Sequence, residues 1–150
     1  IGRAAELHDV GKVAIPDAIL AKRGALDEDE AAFMRRHTII GESIIAGAPA
    51  LRGVATLVRA SHERWDGTGY PDALAAEDIP LGARIISVCD AYSAMLQERP
   101  YGDVLSEAEA LDELRVNAGS QFDPGVVAAF CVLRGSAPAE RRFASSRLAA

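Results

Sequence analysis

Leu51, Val54, Val58 and His62 recur at three- and four-residue steps, the spacing of one face of an α-helix. A chain with this pattern has to bury that face against other elements, and His62 is buried with it. A histidine on a buried stripe needs partners for its ring nitrogens. The helical pattern then stops at Ser61-His62-Glu63-Arg64-Trp65-Asp66-Gly67-Thr68-Gly69-Tyr70-Pro71, which holds two glycines, a proline and the only tryptophan. Glycines 67 and 69 permit backbone angles that other residues resist and Pro71 fixes one dihedral, so this loop can hold a defined shape without regular structure.

The same periodicity fills the rest of the chain. Residues 1 to 9 read as a helix end, and Gly11 and Pro16 release the chain into a connecting segment through Gly24. Asp27 with Glu30 has the logic of a capping box and opens a helix carrying Phe33, His37, Ile40 and Ile44 on one side, which turns His37 inward. Pro80 suits the first turn of a helix through about Leu96, with Ile86, Asp90 and Ala94 on a shared face. Ser106 with Glu109 opens a helix bearing Leu111 and Leu114 that stops at Gly119. Asp123-Pro124 starts a last helix with Val126, Val127, Phe130 and Leu133. No strand pattern or internal repeat emerges. The expectation is an all-α domain over residues 1–135 with a flexible tail over 136–150, where alanine, serine and arginine show no sustained apolar period. The chain begins at Ile1 with a helix already under way, so a piece of a longer protein is expected.

At 150 residues, 49% hydrophobic and 25% charged, the chain can form one domain with a real core. A net charge of −6 and a pI near 5.0 argue against a nucleic-acid polymer as partner, which calls for a broad basic face. Cys89 and Cys131 stand alone within apolar runs, without metal-type spacing, and read as buried thiols in a reducing compartment. No apolar run is long enough to span a bilayer and no leader pattern opens the chain, so the cytoplasm is the expected location.

The three histidines are His8, His37 and His62. Any one alone reads as a buried ring bonded to backbone. With Asp9 and Asp90 they offer imidazole and carboxylate together, a mixture that fits iron, manganese or zinc rather than magnesium or calcium, which prefer oxygen. Adjacent His8 and Asp9 near a helix end can project a nitrogen and a two-oxygen group into one space. Lys12 on its own reads as a solvated surface lysine. Arg99, stiffened by Pro100, reads either as an exposed loop arginine or as a phosphate grip. Arg64, Trp65 and Asp66 read as locks on the loop.

Taken in order, His8-Asp9-x-Gly-Lys12 with Pro16, His62-Glu-Arg-Trp-Asp-Gly-x-Gly-Tyr-Pro71, Ile79-Pro-Leu-x-Ala-Arg-Ile85, Asp90-Ala91 and Arg99-Pro-Tyr101 resemble the HD-GYP family of bacterial cyclic-di-GMP phosphodiesterases over roughly residues 1 to 131. The resemblance implies an HD-superfamily helical bundle with a metal site between helices and a glycine-rich loop over it. It implies one or two metal ions, iron or manganese, on His8, Asp9, His37, His62 and Asp90, with Asp9 as the bridging carboxylate. Asp9 and Lys12 would be catalytic. Lys12, Arg99, Tyr70, Gly69 and Pro71 would meet the cyclic dinucleotide, and the loop could also meet a diguanylate cyclase-type, receiver or sensor domain.

Three positions depart from the family pattern. Ser61 replaces the first of two consecutive histidines, Ser93 stands where an aspartate commonly follows Asp90, and Gly102 stands where a basic residue follows Arg99-Pro-Tyr101. Relatives also draw a glutamate and a histidine from further upstream, and residues 1 to 7 contain Glu6 but no histidine. The leading expectation is hydrolysis of cyclic-di-GMP to the linear dinucleotide or GMP. The alternatives are a non-catalytic module that binds nucleotide or a partner domain, and an HD-type phosphohydrolase acting on another nucleotide.

Overall fold

Apolar periodicity and the Asp and Ser caps open the longer helices where the sequence leads one to expect, but the expected connecting segment through Gly24 holds a short helix at Asp17–Leu20. The computed structural model describes residues 1–97 and 104–135. These form α1 (Gly2–Leu7), α2 (Asp17–Leu20), α3 (Glu28–Arg35), α4 (His37–Ala46), α5 (Arg52–Arg59), α6 (Leu81–Met95), α7 (Glu107–Val116) and α8 (Pro124–Gly135). Short 3-10 turns occupy Val10–Ala14, Pro49–Leu51, Ala60–His62 and Ala76–Asp78. The only strand-like pairing among the described residues is an isolated bridge between Ala118 and Phe122, so the fold is all-α.

The expected caps form. Glu30 N–H donates to Asp27 Oδ1 and Asp27 N–H donates back to Glu30 Oε2, each at 2.9 Å. Ser106 and Glu109 make the same reciprocal pair. Asp123 Oδ1 accepts from the N–H groups of Gly125 at 2.7 Å and Val126 at 3.3 Å, satisfying donors that a helix start leaves open.

Helix α6 is the spine. Its Val88 and Tyr92 pack with Ala110 and Leu114 of α7, Phe122, and Val127 of α8. Its Ile86 packs with Ala4, Ile45, Ala55 and Val58 from α1, α4 and α5. Its Ala83 closes a third cluster with Ala60 and Ile79. One helix thus joins the half of the molecule that carries His8, His37 and His62 to the half built from α7 and α8.

Several expectations change. The helix opened by Asp27 does not run through Ile44: it ends at Arg35, Arg36 forms the joint, and His37 begins α4. His37 still faces inward as expected, and Gly41 and Ile45 continue its buried stripe, while Ile44 at the edge of that stripe is 49% exposed. The helix expected to stop at Gly119 closes earlier, at Val116, and Gly119 at φ +87 serves the turn beyond it. His62 sits not on α5 itself but in the 3-10 turn after it. Cys89 is exposed, because it lies where α6 and α8 leave an apolar groove of about 600 Å³, and Cys131 is half-buried against the core of α6, α7 and α8; an apolar neighbourhood does not guarantee cover. Arg99, Gly102 and the expected tail at 136–150 lie outside the described residues. No helix among the described residues is long and apolar enough to cross a membrane.

Candidate metal centre

His8 caps the end of α1, and Asp9 follows in the bend before the Val10–Ala14 turn. That turn lies directly on α4. A Cβ on Gly11 would collide with the His37 carbonyl oxygen, so glycine is what lets Asp9 reach the first turn of α4. His37 comes from that first turn, His62 from the turn after α5, and Asp90 from the middle of α6.

These side chains converge. One ligand atom from each of Asp9, His37 and His62 lies within 4.8 Å of the other two. Asp9 Oδ1 is 3.6 Å from His37 Nε2. Its Oδ2 lies 3.7 Å from His8 Nε2, which is itself 3.6 Å from Asp90 Oδ1. The cluster therefore has two lobes that share Asp9: His37, with His62 close by, on the Oδ1 side, and His8, which reaches Asp90, on the Oδ2 side.

The rings are aimed from behind. His8 Nδ1 lies 2.7 Å from Ala5 O, and His37 Nδ1 lies 2.7 Å from Met34 O. A carbonyl can only accept, so in the neutral ring Nδ1 carries the proton and Nε2 presents a lone pair to the cluster. Asp9 Oδ1, His37 Nε2 and His62 Nε2 are buried without a hydrogen-bond partner. Three orphaned acceptors facing one another are costly unless something positive sits among them. This donor set fits a divalent transition metal. Burial, reinforced by the nearby His37 and His8 and opposed by Asp9, pushes the His62 ring down to about 4, which leaves it a neutral ligand near pH 7. Burial alone would raise the Asp9 carboxyl, but the Lys12 hydrogen bond and charge, with His8 and His37, hold it below its ordinary value.

Lys12 Nζ donates to Asp9 Oδ2 at 2.7 Å. The lysine is thus neither a free surface charge nor wholly committed, since an ammonium has two further protons to give. Tyr70 stacks on His62 with ring centroids 5.2 Å apart and planes 7° from parallel. Burial raises its phenol above the ordinary value. Beside the cluster a cavity of about 190 Å³ is lined by Ser61, His62, Tyr70, Ser87, Asp90 and Gln121 among others. Ser61 is buried and its hydroxyl donates to Val58 O at 2.8 Å, so it is spent on the backbone.

The loop is held as a closed ring. Glu63, 4% exposed, accepts from Asp72 N–H at 2.7 Å and Leu74 N–H at 3.1 Å, and Tyr70 N–H donates to His62 O at 3.2 Å. Gly69 lies so close to the Glu63–Arg64 backbone that any Cβ would overlap the Arg64 nitrogen. Asp66 gathers Arg64 and both the hydroxyl and N–H of Thr68. Trp65 N–H and Asp66 N–H donate to Gln121 O and Ser120 O, and Arg84 lies over the Trp65 ring. Arg64, Trp65 and Asp66 therefore lock the turn, as read from the sequence. Glu63 as anchor was missed, although a glutamate beside a glycine-rich loop is a natural acceptor for its amides. Arg35, whose guanidinium lies 5.6 Å from the Tyr70 ring centroid, was also missed, and no sequence spacing could have placed it there.

Comparison with known proteins gives the family of this fold. The family model described as HD domain matches residues 1–126. The chain is 45% identical over 143 residues to the cyclic di-GMP phosphodiesterase response regulator RpfG of Xanthomonas campestris, covering 94% of this chain and 37% of that one. It is 42% identical over 129 residues to 3'3'-cGAMP-specific phosphodiesterase 2 of Vibrio cholerae, covering 85% and 25%. The chain thus spans about a third or less of the relatives it matches. A crystal structure of a cyclic GMP-AMP specific phosphodiesterase from V. cholerae superposes with a TM-score of 0.67 at 20% identity, over 87% of this chain and 36% of that chain, which shows a shared fold. By its family match, and by the motif order that the fold gathers around one cluster, this chain belongs to the HD domain family and is of the HD-GYP type.

Proposed function

We propose that this domain is a metal-dependent phosphodiesterase that hydrolyses cyclic-di-GMP to the linear dinucleotide or GMP. The observation that carries the reading is the set of buried, unpartnered acceptors on Asp9, His37 and His62, with His8 and Asp90 beside them. Iron or manganese suits the mixed imidazole and carboxylate set, at one or two ions on His8, Asp9, His37, His62 and Asp90. When bound, such a metal supplies Lewis acidity at a phosphoryl oxygen.

The chain's own groups do the rest. Asp9, with its oxygens 3.6 Å from His37 Nε2 and 3.7 Å from His8 Nε2, would be the ligand common to both lobes. Lys12 keeps one proton on Asp9 Oδ2 and turns the other two to the scissile phosphate, where negative charge grows in the transition state. Tyr70, held on His62, walls the pocket against water, while Gly69 and Pro71 shape the rim that faces the dinucleotide. Arg99 adds a second phosphate contact. Water adds across one P–O bond, and the sugar oxygen leaves with a proton. Residues 1–135 are the hydrolase unit in this reading, working in the cytoplasm, with the glycine-rich loop as a surface for a cyclase-type or receiver domain.

Protein loaded with iron or manganese is expected to cleave cyclic-di-GMP, and His8→Ala or Asp9→Ala to abolish turnover; an unchanged rate in either variant overturns the site. The 3'3'-cGAMP named for one relative belongs in the same assay as a competing substrate. A second reading, a non-catalytic module that binds nucleotide, is favoured by Ser61, whose hydroxyl donates to the Val58 carbonyl oxygen. Nucleotide binding without turnover under any metal, with activity restored by Ser61→His, decides for it.

A further inference from the structure

A cyclic dinucleotide carries two phosphodiesters, and the metal cluster can take only the one that reacts. The other is an anion that must be met elsewhere on the cleft wall. Most cations near the cleft are already committed. Lys12 holds Asp9, Arg59 holds Asp72 and Glu42, Arg64 holds Asp66, and Arg84 holds Asp123. Arg35 is different. It ends α3, two residues before His37, is exposed, and has no carboxylate partner among the described residues. Its guanidinium lies 5.6 Å from the centroid of Tyr70, the same ring that stacks on His62 and lines the cavity beside Asp90.

We propose that Arg35 is the specificity-determining residue that grips the non-reacting phosphodiester of the cyclic dinucleotide, at the outer edge of the Tyr70 wall. This rests on the phosphodiesterase reading above. A planar guanidinium makes two parallel hydrogen bonds to phosphate oxygens, and lysine cannot copy that fork. Resting over an aromatic ring, the side chain is partly ordered before substrate arrives, which lowers the entropy cost of gripping it. Arg35 also reaches the site without spending the α3–α4 joint: Thr38 Oγ donates to the Arg35 carbonyl oxygen at 3.1 Å, a backbone contact that a side-chain substitution leaves in place.

The test compares cyclic-di-GMP with bis(p-nitrophenyl) phosphate, which has a single phosphodiester. Arg35→Ala and Arg35→Gln are expected to raise KM for cyclic-di-GMP about tenfold, the loss of a charge-assisted contact, while kcat changes little. Arg35→Lys is expected to recover only part of that loss. Selectivity for the dinucleotide over the single diester then falls about tenfold. An equal loss on both substrates makes Arg35 a prop for Tyr70 and overturns the proposal, as does no loss on either. Calorimetric titration of cyclic-di-GMP into metal-free wild type and Arg35→Ala separates the two readings. Weaker binding in the variant, with no turnover in any loaded protein, sinks the hydrolase reading and keeps Arg35 as the phosphate contact. Equal affinity sinks the contact whatever the turnover.

Discussion

Gly11 and Gly69 are the two glycines whose missing side chains hold the centre together. A methyl at 69 meets the Glu63 and Arg64 backbone, which cannot swing aside as a side-chain tip can. Gly69→Ala is therefore expected to cost about 1–3 kcal/mol, the usual range for overpacking, and to lower turnover by displacing Tyr70 from His62. Urea unfolding and the kinetics of the same sample check both halves; unchanged stability removes the close approach as the reason for glycine there. Gly53, with open space around it, is the control, since Gly53→Ala in α5 should stabilise by about 1 kcal/mol through helix propensity alone. That His8, Asp9, His37, His62 and Asp90 come together was legible from residue type and motif order, because imidazole and carboxylate suit one metal cluster. The direction of each ring was not, because it is set by carbonyls such as Ala5 and Met34 that carry no sequence identity.

The loop after α5 behaves as an element although it has no regular structure, and its ionised carboxylates make its order pH-dependent. Arg64 first, then the Thr68 hydroxyl and N–H, hold the exposed Asp66 carboxyl below its ordinary value of 3.8. Arg59 does the same for Asp72. A carboxylate whose folded value is depressed adds stability that is complete above the unfolded value and lost as pH falls through the folded one. The single tryptophan sits within this loop, so Trp65 emission is expected to hold down to about pH 4 and to change below it. Asp66→Asn should flatten that acid limb and loosen the loop at neutral pH; an identical acid profile in the variant removes Asp66 as the lock. Capping residues made the starts of α3 and α7 readable, since Asp27 with Glu30 and Ser106 with Glu109 act within one turn. The joint at Arg36 was not readable: Phe33, His37, Ile40 and Ile44 keep a helical period across it, so the pattern alone shows no break between α3 and α4. Nor was the exposure of Cys89, since which face of α6 stays bare depends on where α8 lies.

Five candidate ligands come from the end of α1, the bend after it, α4, the turn after α5 and α6, so an ion bound among them ties together most of one half of the molecule. The other half, built on Leu114, Val88 and Phe122, meets that site through α6 and through the backbone bonds of Trp65 and Asp66 to Gln121 and Ser120. Binding to the folded state alone stabilises in proportion to the logarithm of free ligand over Kd, about 2.7 kcal/mol at a hundredfold excess. For a chain of this size that is a rise of roughly 5–10 °C in unfolding temperature on adding manganese, reversed by a chelator. Asp9→Asn keeps the side chain's shape and removes the charge shared by both lobes, so it should leave the metal-free midpoint close to wild type and abolish the rise. Leu114→Ala should do the reverse. Leu114 is 0% exposed in the far cluster, so truncation costs about 2–5 kcal/mol and lowers the midpoint, yet the metal increment should survive because the two changes share no partner. Scanning calorimetry with and without manganese on the three proteins reads all of this. An increment that persists in Asp9→Asn places the ion elsewhere, and one that vanishes in Leu114→Ala means α6 couples the halves too tightly for the site to form alone.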